Sequence, residues 1–396
     1  MEHVTKYINI AHLDTNSTIG SHKIESQHGS PLTPSINFSS AYAFRTVEDL
    51  ISYHKDKYNS IRYTRDGTEI VFQVEKYFEF MYSKSKCILF ESGMSAISSA
   101  LSSVISNNCK VITFGNNYRK TKQVIDRYEE MGVIESINYI RYDDLKENPI
   151  KDKKIIFFIE SPSNPFLRLA NIVDIRKHYP NAIIILDFTL QGLLNDKNSF
   201  DFVDILVTSC TKYIGGHNDL IGGLVVLNTK KYYEKIWLYR SMHGGNLDAT
   251  STFLLLRSLR TYDMRISTII SNTKKVLKYL EKDESVMKIY YPGKYENFDQ
   301  NDLYTSSLYH GGGVITIESA QGVDLKANIE KLKSIKMAPS FGSVDTLVEM
   351  PLYMSYWDAS KENLCSININ ERIVRLSIGC EPIEFIMSDI KRLFKI

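Results

Sequence analysis

An α/β fold with a mainly parallel sheet, helices on both of its faces and a smaller α/β lobe behind it is predicted by three features of the sequence. Short apolar runs recur at residues 87–90, 111–114, 155–159, 183–186 and 205–208, each ending in a polar residue or glycine. A helical pattern follows each run, and such alternation makes parallel βαβ units. A second strand set, at 313–318 and 374–378, lies beyond a long helical region and supplies the smaller lobe.

Taken in order, residues 19–62 mix Ser, Pro, Gly, Tyr and Asn around Pro31-Leu32-Thr33-Pro34, which predicts an extended arm with one short helix near 47–54. From Ile70, the apolar positions 70, 71, 74, 77, 78 and 81 keep helical spacing, with Asp66 or Thr68 available as the cap. The strand and helix alternation follows. After Phe253 the helical region runs to a break at Tyr291-Pro292-Gly293, and the chain closes on a helix whose apolar face is Ile383, Ile386, Met387, Ile390 and Leu393. In open parallel sheets ligands collect at the carboxyl ends of strands, so the polar residues that end these runs are the first candidates for a site.

Composition bounds the function. The 396 residues suffice for two or three lobes with buried cores, and 43% hydrophobic with 24% charged residues is ordinary for a globular enzyme. Lys and Arg number 48 against 46 Asp and Glu, a balance that provides no field of one sign for nucleic acid or a membrane surface. Five scattered cysteines without C-x-x-C spacing fit reduced thiols in a cytoplasm and suggest neither disulfides nor a metal. Residues 1–16 carry no continuous apolar stretch of the export type, and the longest apolar runs are far too short to span a bilayer.

Three stretches carry chemistry. Thr208-Ser209-Cys210-Thr211-Lys212-Tyr213 follows an apolar run and sets two hydroxyls beside an amine: Ser209 and Thr211 can donate to a phosphate while Lys212 condenses with an aldehyde. Phe90-Glu91-Ser92-Gly93-Met94-Ser95 takes a strand into a helix through one glycine, aiming the N–H groups of Gly93 and Met94 at an anion. Asp187 ends the run at 183–186, where a carboxylate can pair with a protonated pyridine nitrogen. Singly, each has a plainer reading: a lysine in a polar loop, a glycine that eases packing, an aspartate that caps a turn.

Together these stretches resemble the Cys/Met metabolism family of pyridoxal-phosphate enzymes, the family of cystathionine γ-synthase, cystathionine lyases and methionine γ-lyase. The landmarks stand in family order over most of the chain: Tyr63-Thr64-Arg65, Ser92-Gly93-Met94-Ser95-Ala96-Ile97, Tyr118, Glu160-Ser161-Pro162-Ser163-Asn164-Pro165, Asp187, Ser209-Cys210-Thr211-Lys212-Tyr213, Gly342-Ser343-Val344-Asp345 and Val374-Arg375-Leu376-Ser377-Ile378-Gly379. The resemblance implies a fold-type I pyridoxal-phosphate enzyme with a mainly parallel seven-stranded sheet. Residues 1–62 would be an arm against the neighbouring subunit, 63–253 the large coenzyme domain and 254–396 the smaller domain. It implies Lys212 as the Schiff-base lysine, Asp187 on the pyridine nitrogen, and Gly93, Met94, Ser209 and Thr211 on the phosphate. Tyr63 and Arg65 would reach in from the neighbouring subunit of an active dimer, within a tetramer. Tyr118 would stack on the ring, Asn164 lie near the ring hydroxyl, Arg375 clamp the substrate carboxylate, and Ser340 add a second contact. For Arg375 alone, a surface ion pair is the plainer reading.

Departures from the family pattern fall mostly on the substrate side. Asp66-Gly67-Thr68-Glu69, Phe188-Thr189 and Glu349-Met350-Pro351 replace common family runs, and Pro339 stands where relatives acting on cystathionine tend to place Glu. Arg119 and Lys120 follow Tyr118 where small residues are usual, which suggests two cations facing an anionic leaving group, or simply solvent. The expected activity is γ-replacement or γ-elimination on a homoserine- or methionine-like amino acid. β-Elimination of the cystathionine β-lyase type, or a non-catalytic paralogue acting as a partner, are the alternatives.

Overall fold

The computed structural model describes residues 32–83, 86–139, 142–147, 150, 154–294 and 298–395; the first half of the expected arm, 1–31, lies outside them. Within them the strands form a seven-stranded sheet in the order β1 (Lys86–Phe90), β7 (Gly223–Leu227), β6 (Ile205–Ser209), β5 (Ile183–Asp187), β4 (Ile155–Glu160), β2 (Cys109–Phe114) and β3 (Ile134–Tyr139). The pairings β3–β2, β2–β4, β4–β5 and β5–β6 are parallel, and only β7, between β6 and β1, runs the other way.

The central strands read as continuous Ile, Val and Phe because both faces are covered. Side chains alternate between two cores: Phe157, Ile159, Ile184 and Leu186 join one, while Ile156, Phe158, Ile185 and Val207 join the other with Ala96, Leu101 and Trp237. The first helix with a firm apolar stripe spans Glu69–Met81, and of the two caps considered it is Thr68 whose hydroxyl accepts the Val71 N–H, at 3.4 Å. The short helix expected near 47–54 spans Val47–Lys55.

The second sheet has the order β10 (Lys336–Met337), β11 (Leu347–Glu349), β12 (Ile373–Ser377), β9 (Val314–Ser319) and β8 (Val286–Tyr290). The helix Ile383–Leu393 seals it, burying Ile386, Ile390 and Leu393. Two details differ from the sequence expectation. The long helical region ends at Leu280, and β8 precedes the Tyr291-Pro292-Gly293 break. The boundary drawn at 253/254 falls inside the helix Ala249–Leu259, so helix continues from one lobe toward the other. One core runs through both lobes, since Ile315, Ile317, Val374 and Leu376 belong to the same cluster as Ile184 and Leu186.

Candidate active site

The carboxyl ends of β1, β4, β5 and β6 bring most of the expected residues together. Ser92 caps the helix Gly93–Val104: its hydroxyl accepts the Ser95 N–H at 3.0 Å and its carbonyl the Ala96 N–H at 3.1 Å. The N–H groups of Gly93 and Met94, at the first turn, are those left to meet an anion. Gly93 stands directly against β6, where a Cβ would lie 2.8 Å from Ser209 Cβ, so no larger residue fits there without moving the strand end. Thr211 Oγ1 accepts the Gly222 N–H at 3.1 Å and keeps its own hydrogen to donate.

Asp187 is buried at the end of β5, in register with Glu160 on β4. Both hydrogen bonds from Thr189, N at 2.9 Å and Oγ1 at 2.6 Å, land on Asp187 Oδ1 and leave Oδ2 available to a ligand. Thr189 Oγ1 also accepts the Ser209 N–H at 2.9 Å and thereby links the carboxylate to the phosphate-side loop. Burial raises the Asp187 carboxyl above the ordinary range. Burial and then the Asp187 charge raise Glu160. Glu160 Oε2 accepts the Tyr118 N–H at 2.7 Å, which fixes the main chain beneath the half-exposed Tyr118 ring.

Lys212 Nζ donates to Ser340 Oγ at 3.0 Å and lies 5.1 Å from the centre of the Phe341 ring. Burial first, and then the Arg375 charge, lower its pKa against the opposing pull of Glu349, to about 8. The loop around Lys212 is pinned from the second lobe: Arg265 donates to the carbonyls of Tyr213 at 2.9 Å and Ile214 at 3.0 Å, and Gly313 N–H to Tyr213 Oη at 2.9 Å.

Arg375, on β12, is buried, not the surface ion pair that was its plainer reading. It donates from Nη1 to Asn164 Oδ1 at 3.0 Å and from Nη2 to the Ser340 carbonyl at 3.1 Å, and it pairs with Glu349, its register partner on β11. Arg375 Nε is buried with no partner, the mark of a guanidinium edge reserved for a ligand.

Not every expected residue converges. Tyr63 and Arg65 are exposed and touch each other, the guanidinium 5.1 Å from the ring centre, while Asn246 Nδ2 holds the turn through the Thr64 carbonyl at 3.0 Å. Arg119 pairs with Asp358 and Lys120 with Gln123 Oε1 at 3.0 Å, so the structure provides no pair of free cations for an anionic leaving group. Phe188 is buried in the core, edge-to-face with Phe200 at 5.2 Å between ring centres. Glu160, Thr189 and Glu349 stand in runs quoted from the sequence without a role, whereas Phe341, Ser355, Tyr356 and Asp358 had no signal there.

The donor set fits pyridoxal 5′-phosphate: an amine of lowered pKa, a carboxylate with one oxygen open, and a glycine-lined anion cradle at a helix start. The pattern of Cys/Met metabolism PLP-dependent enzymes matches residues 15–395. The chain belongs to that family. That family is one of pyridoxal-phosphate-dependent enzymes. It is 29% identical over 368 residues to cystathionine gamma-synthase 1, chloroplastic, of Arabidopsis thaliana, covering 90% of this chain and 64% of that enzyme, so it spans just under two-thirds of that relative's length. It is also 29% identical over 335 residues to a cystathionine beta-lyase of Lactococcus lactis, covering 83% of this chain and 87% of the relative. Among solved structures, a cystathionine gamma-lyase from Lactobacillus plantarum complexed with L-serine superposes with a TM-score of 0.86 at 26% identity, over 100% of this chain and 98% of that one. The mainly parallel seven-stranded sheet with a smaller second sheet is the fold-type I architecture of this solved relative.

Proposed function

We propose that this chain carries out pyridoxal-phosphate-dependent γ-replacement or γ-elimination on a homoserine- or methionine-like amino acid. The observation that carries the reading is the double use of Ser340: its hydroxyl takes the Lys212 amine and its carbonyl takes the Arg375 guanidinium. An α-amino acid presents an amine and a carboxylate one carbon apart: the first would take the place of Lys212 on the coenzyme and the second would meet Arg375, and a single residue joins those two side chains.

In this reading Lys212 would hold the coenzyme's aldehyde, Asp187 its ring nitrogen, and Gly93, Met94, Ser209 and Thr211 its phosphate, with Tyr118 and Asn164 as contacts to the ring. When bound, the coenzyme withdraws electrons and acidifies the substrate Cα–H. Arg375 orients the substrate through its carboxylate, with Nε as the guanidinium donor that no protein group takes. A lysine with pKa near 8 exchanges protons readily at neutral pH, and γ-chemistry needs such exchange at Cα and again at Cβ. Relatives named cystathionine gamma-synthase, cystathionine gamma-lyase and L-methionine gamma-lyase support the γ reading.

The exposed Tyr63 and Arg65 support completion of each site by a second copy, in an active dimer that assembles to a tetramer. The free cysteines among the described residues fit a cytoplasmic setting, and no helix among those residues is long and apolar enough to cross a membrane. The test is product identification with cystathionine, methionine and activated homoserines. 2-Oxobutyrate, or a new amino acid formed from an added thiol, supports the γ reading. Pyruvate and homocysteine would establish β-elimination instead, and no turnover with coenzyme bound would indicate a non-catalytic paralogue.

A further inference from the structure

Beyond β11, residues 350–360 form a strap that runs from the Arg375 side of the pocket to the Tyr118 side. It is braced internally by the hydrogen bonds Tyr353 N–H to the Met350 carbonyl at 3.0 Å, Tyr356 N–H to the Pro351 carbonyl at 2.9 Å, and Ala359 N–H to the Tyr356 carbonyl at 3.1 Å. At its inner end the Ser355 hydroxyl donates to Glu349, the carboxylate that holds Arg375. In its middle, the Tyr356 ring packs against the small cluster of Phe166, Ile369 and Ile373, next to the Asn164-Pro165 turn. At its outer end Asp358 pairs with Arg119, the first residue of the helix Arg119–Glu130 and the immediate neighbour of Tyr118.

The inner anchors Ser355 and Tyr356 are half-buried, whereas the outer one is exposed. The side chains of Arg119 and Asp358 are 34% and 43% exposed, and their contact joins the start of a large-lobe helix to a small-lobe turn. Tyr118 is thus held twice: by its own N–H on Glu160, and through Arg119 on the strap.

We propose that the Arg119–Asp358 ion pair latches the strap over the substrate side of the pocket and fixes the main chain at Tyr118. Both are then positioning residues for substrate binding. The inference rests on the reading that Tyr118 and Arg375 flank the substrate. It also gives the Arg119 departure a use other than contact with a leaving group.

An ion pair this exposed is weak and screened by salt, so the latch sets affinity modestly and leaves the chemistry alone. The variants are Arg119→Gln, Asp358→Asn and the reversed pair Arg119→Asp with Asp358→Arg. Aspartate at a helix start is favoured by the helix dipole, so the reversed pair can close again. The first readout needs no catalysis: chymotrypsin cleavage of substrate-free holoenzyme after Trp357, which is 69% exposed. Each single variant is expected to be cut about two- to fivefold faster, and to show KM raised by about the same factor with kcat nearly unchanged. The reversed pair returns both toward wild type. Single variants cut at the wild-type rate, or a reversed pair no better than they are, would overturn the latch. So would a fall in kcat at constant KM. If no substrate were turned over, cleavage alone would decide the latch, and the functional reading would be what failed.

Discussion

On one side of the pocket, Gly93, Asp187, Ser209 and Lys212 stand at or within three residues of the carboxyl ends of β1, β5 and β6. On the other, Ser340, Glu349, Arg375 and the strap come from the five-stranded sheet and its loops. The first side is assembled by neighbouring strands of one sheet, whose register fixes each residue relative to the next. Inside the pocket the second meets the first through Ser340 on Lys212 and Arg375 on Asn164, beside the Arg265 and Gly313 hydrogen bonds that pin the Lys212 loop from behind. In the proposed reading, coenzyme chemistry then sits on the ends of one sheet, and substrate recognition on contacts between lobes that can be re-tuned without disturbing it.

The sharpest way to break this division is at Lys212. In Lys212→Ala the strand ends stay intact, so the protein is expected to keep its thermal stability yet lose both the absorbance band near the visible edge and at least about 10³-fold in kcat. Retention of the band would sink the assignment of the amine. Across the pocket, Arg375→Lys keeps a charge for Glu349 but loses the guanidinium edge. We expect KM to rise about 10- to 100-fold, the scale of one or two hydrogen bonds to a charged group, with the absorbance band unchanged. A change in the band with unaltered KM would reverse the two sides.

The same asymmetry decides what could be read from the sequence. β4, β5 and β6 are apolar on both faces, so 155–159, 183–186 and 205–208 announce themselves, and the observed strands each extend one residue further, onto Glu160, Asp187 and Ser209. β3 was missed because its side chains are mostly half-buried or exposed at the sheet edge. β7 carries an apolar run like its neighbours but runs antiparallel, with no helix between it and β6 to mark a crossover. Lys212 and Asp187 were legible because their residue types and strand-end positions imply a role. The contacts of Asp358 and Ser355 depend on which loop of one lobe faces which helix of the other, and no local pattern encodes that.

A smaller effect separates burial from chemistry at Lys212. Its lowered pKa means that the neutral, nucleophilic amine appears from about pH 8 upward, against about 10.4 for an unperturbed lysine. Uptake of pyridoxal 5′-phosphate by the apoprotein should therefore speed up about tenfold per pH unit below 8 and level off above it, as followed by stopped-flow absorbance. A rate still climbing at pH 10 would mean that the pocket does not desolvate the amine.

The finest cut is Ser340→Ala, because Ser340 serves the two sides with different atoms. The substitution removes the hydroxyl that receives Lys212 Nζ but keeps the main-chain carbonyl that receives Arg375 Nη2. A single hydrogen bond of about 1 kcal/mol corresponds to about fivefold. If the two sides are energetically separate, that factor falls on kcat, through a less well-oriented lysine, and KM stays within about twofold. An equal loss in KM would mean that the Ser340 backbone shifts with its side chain, so that amine and carboxylate recognition form one unit.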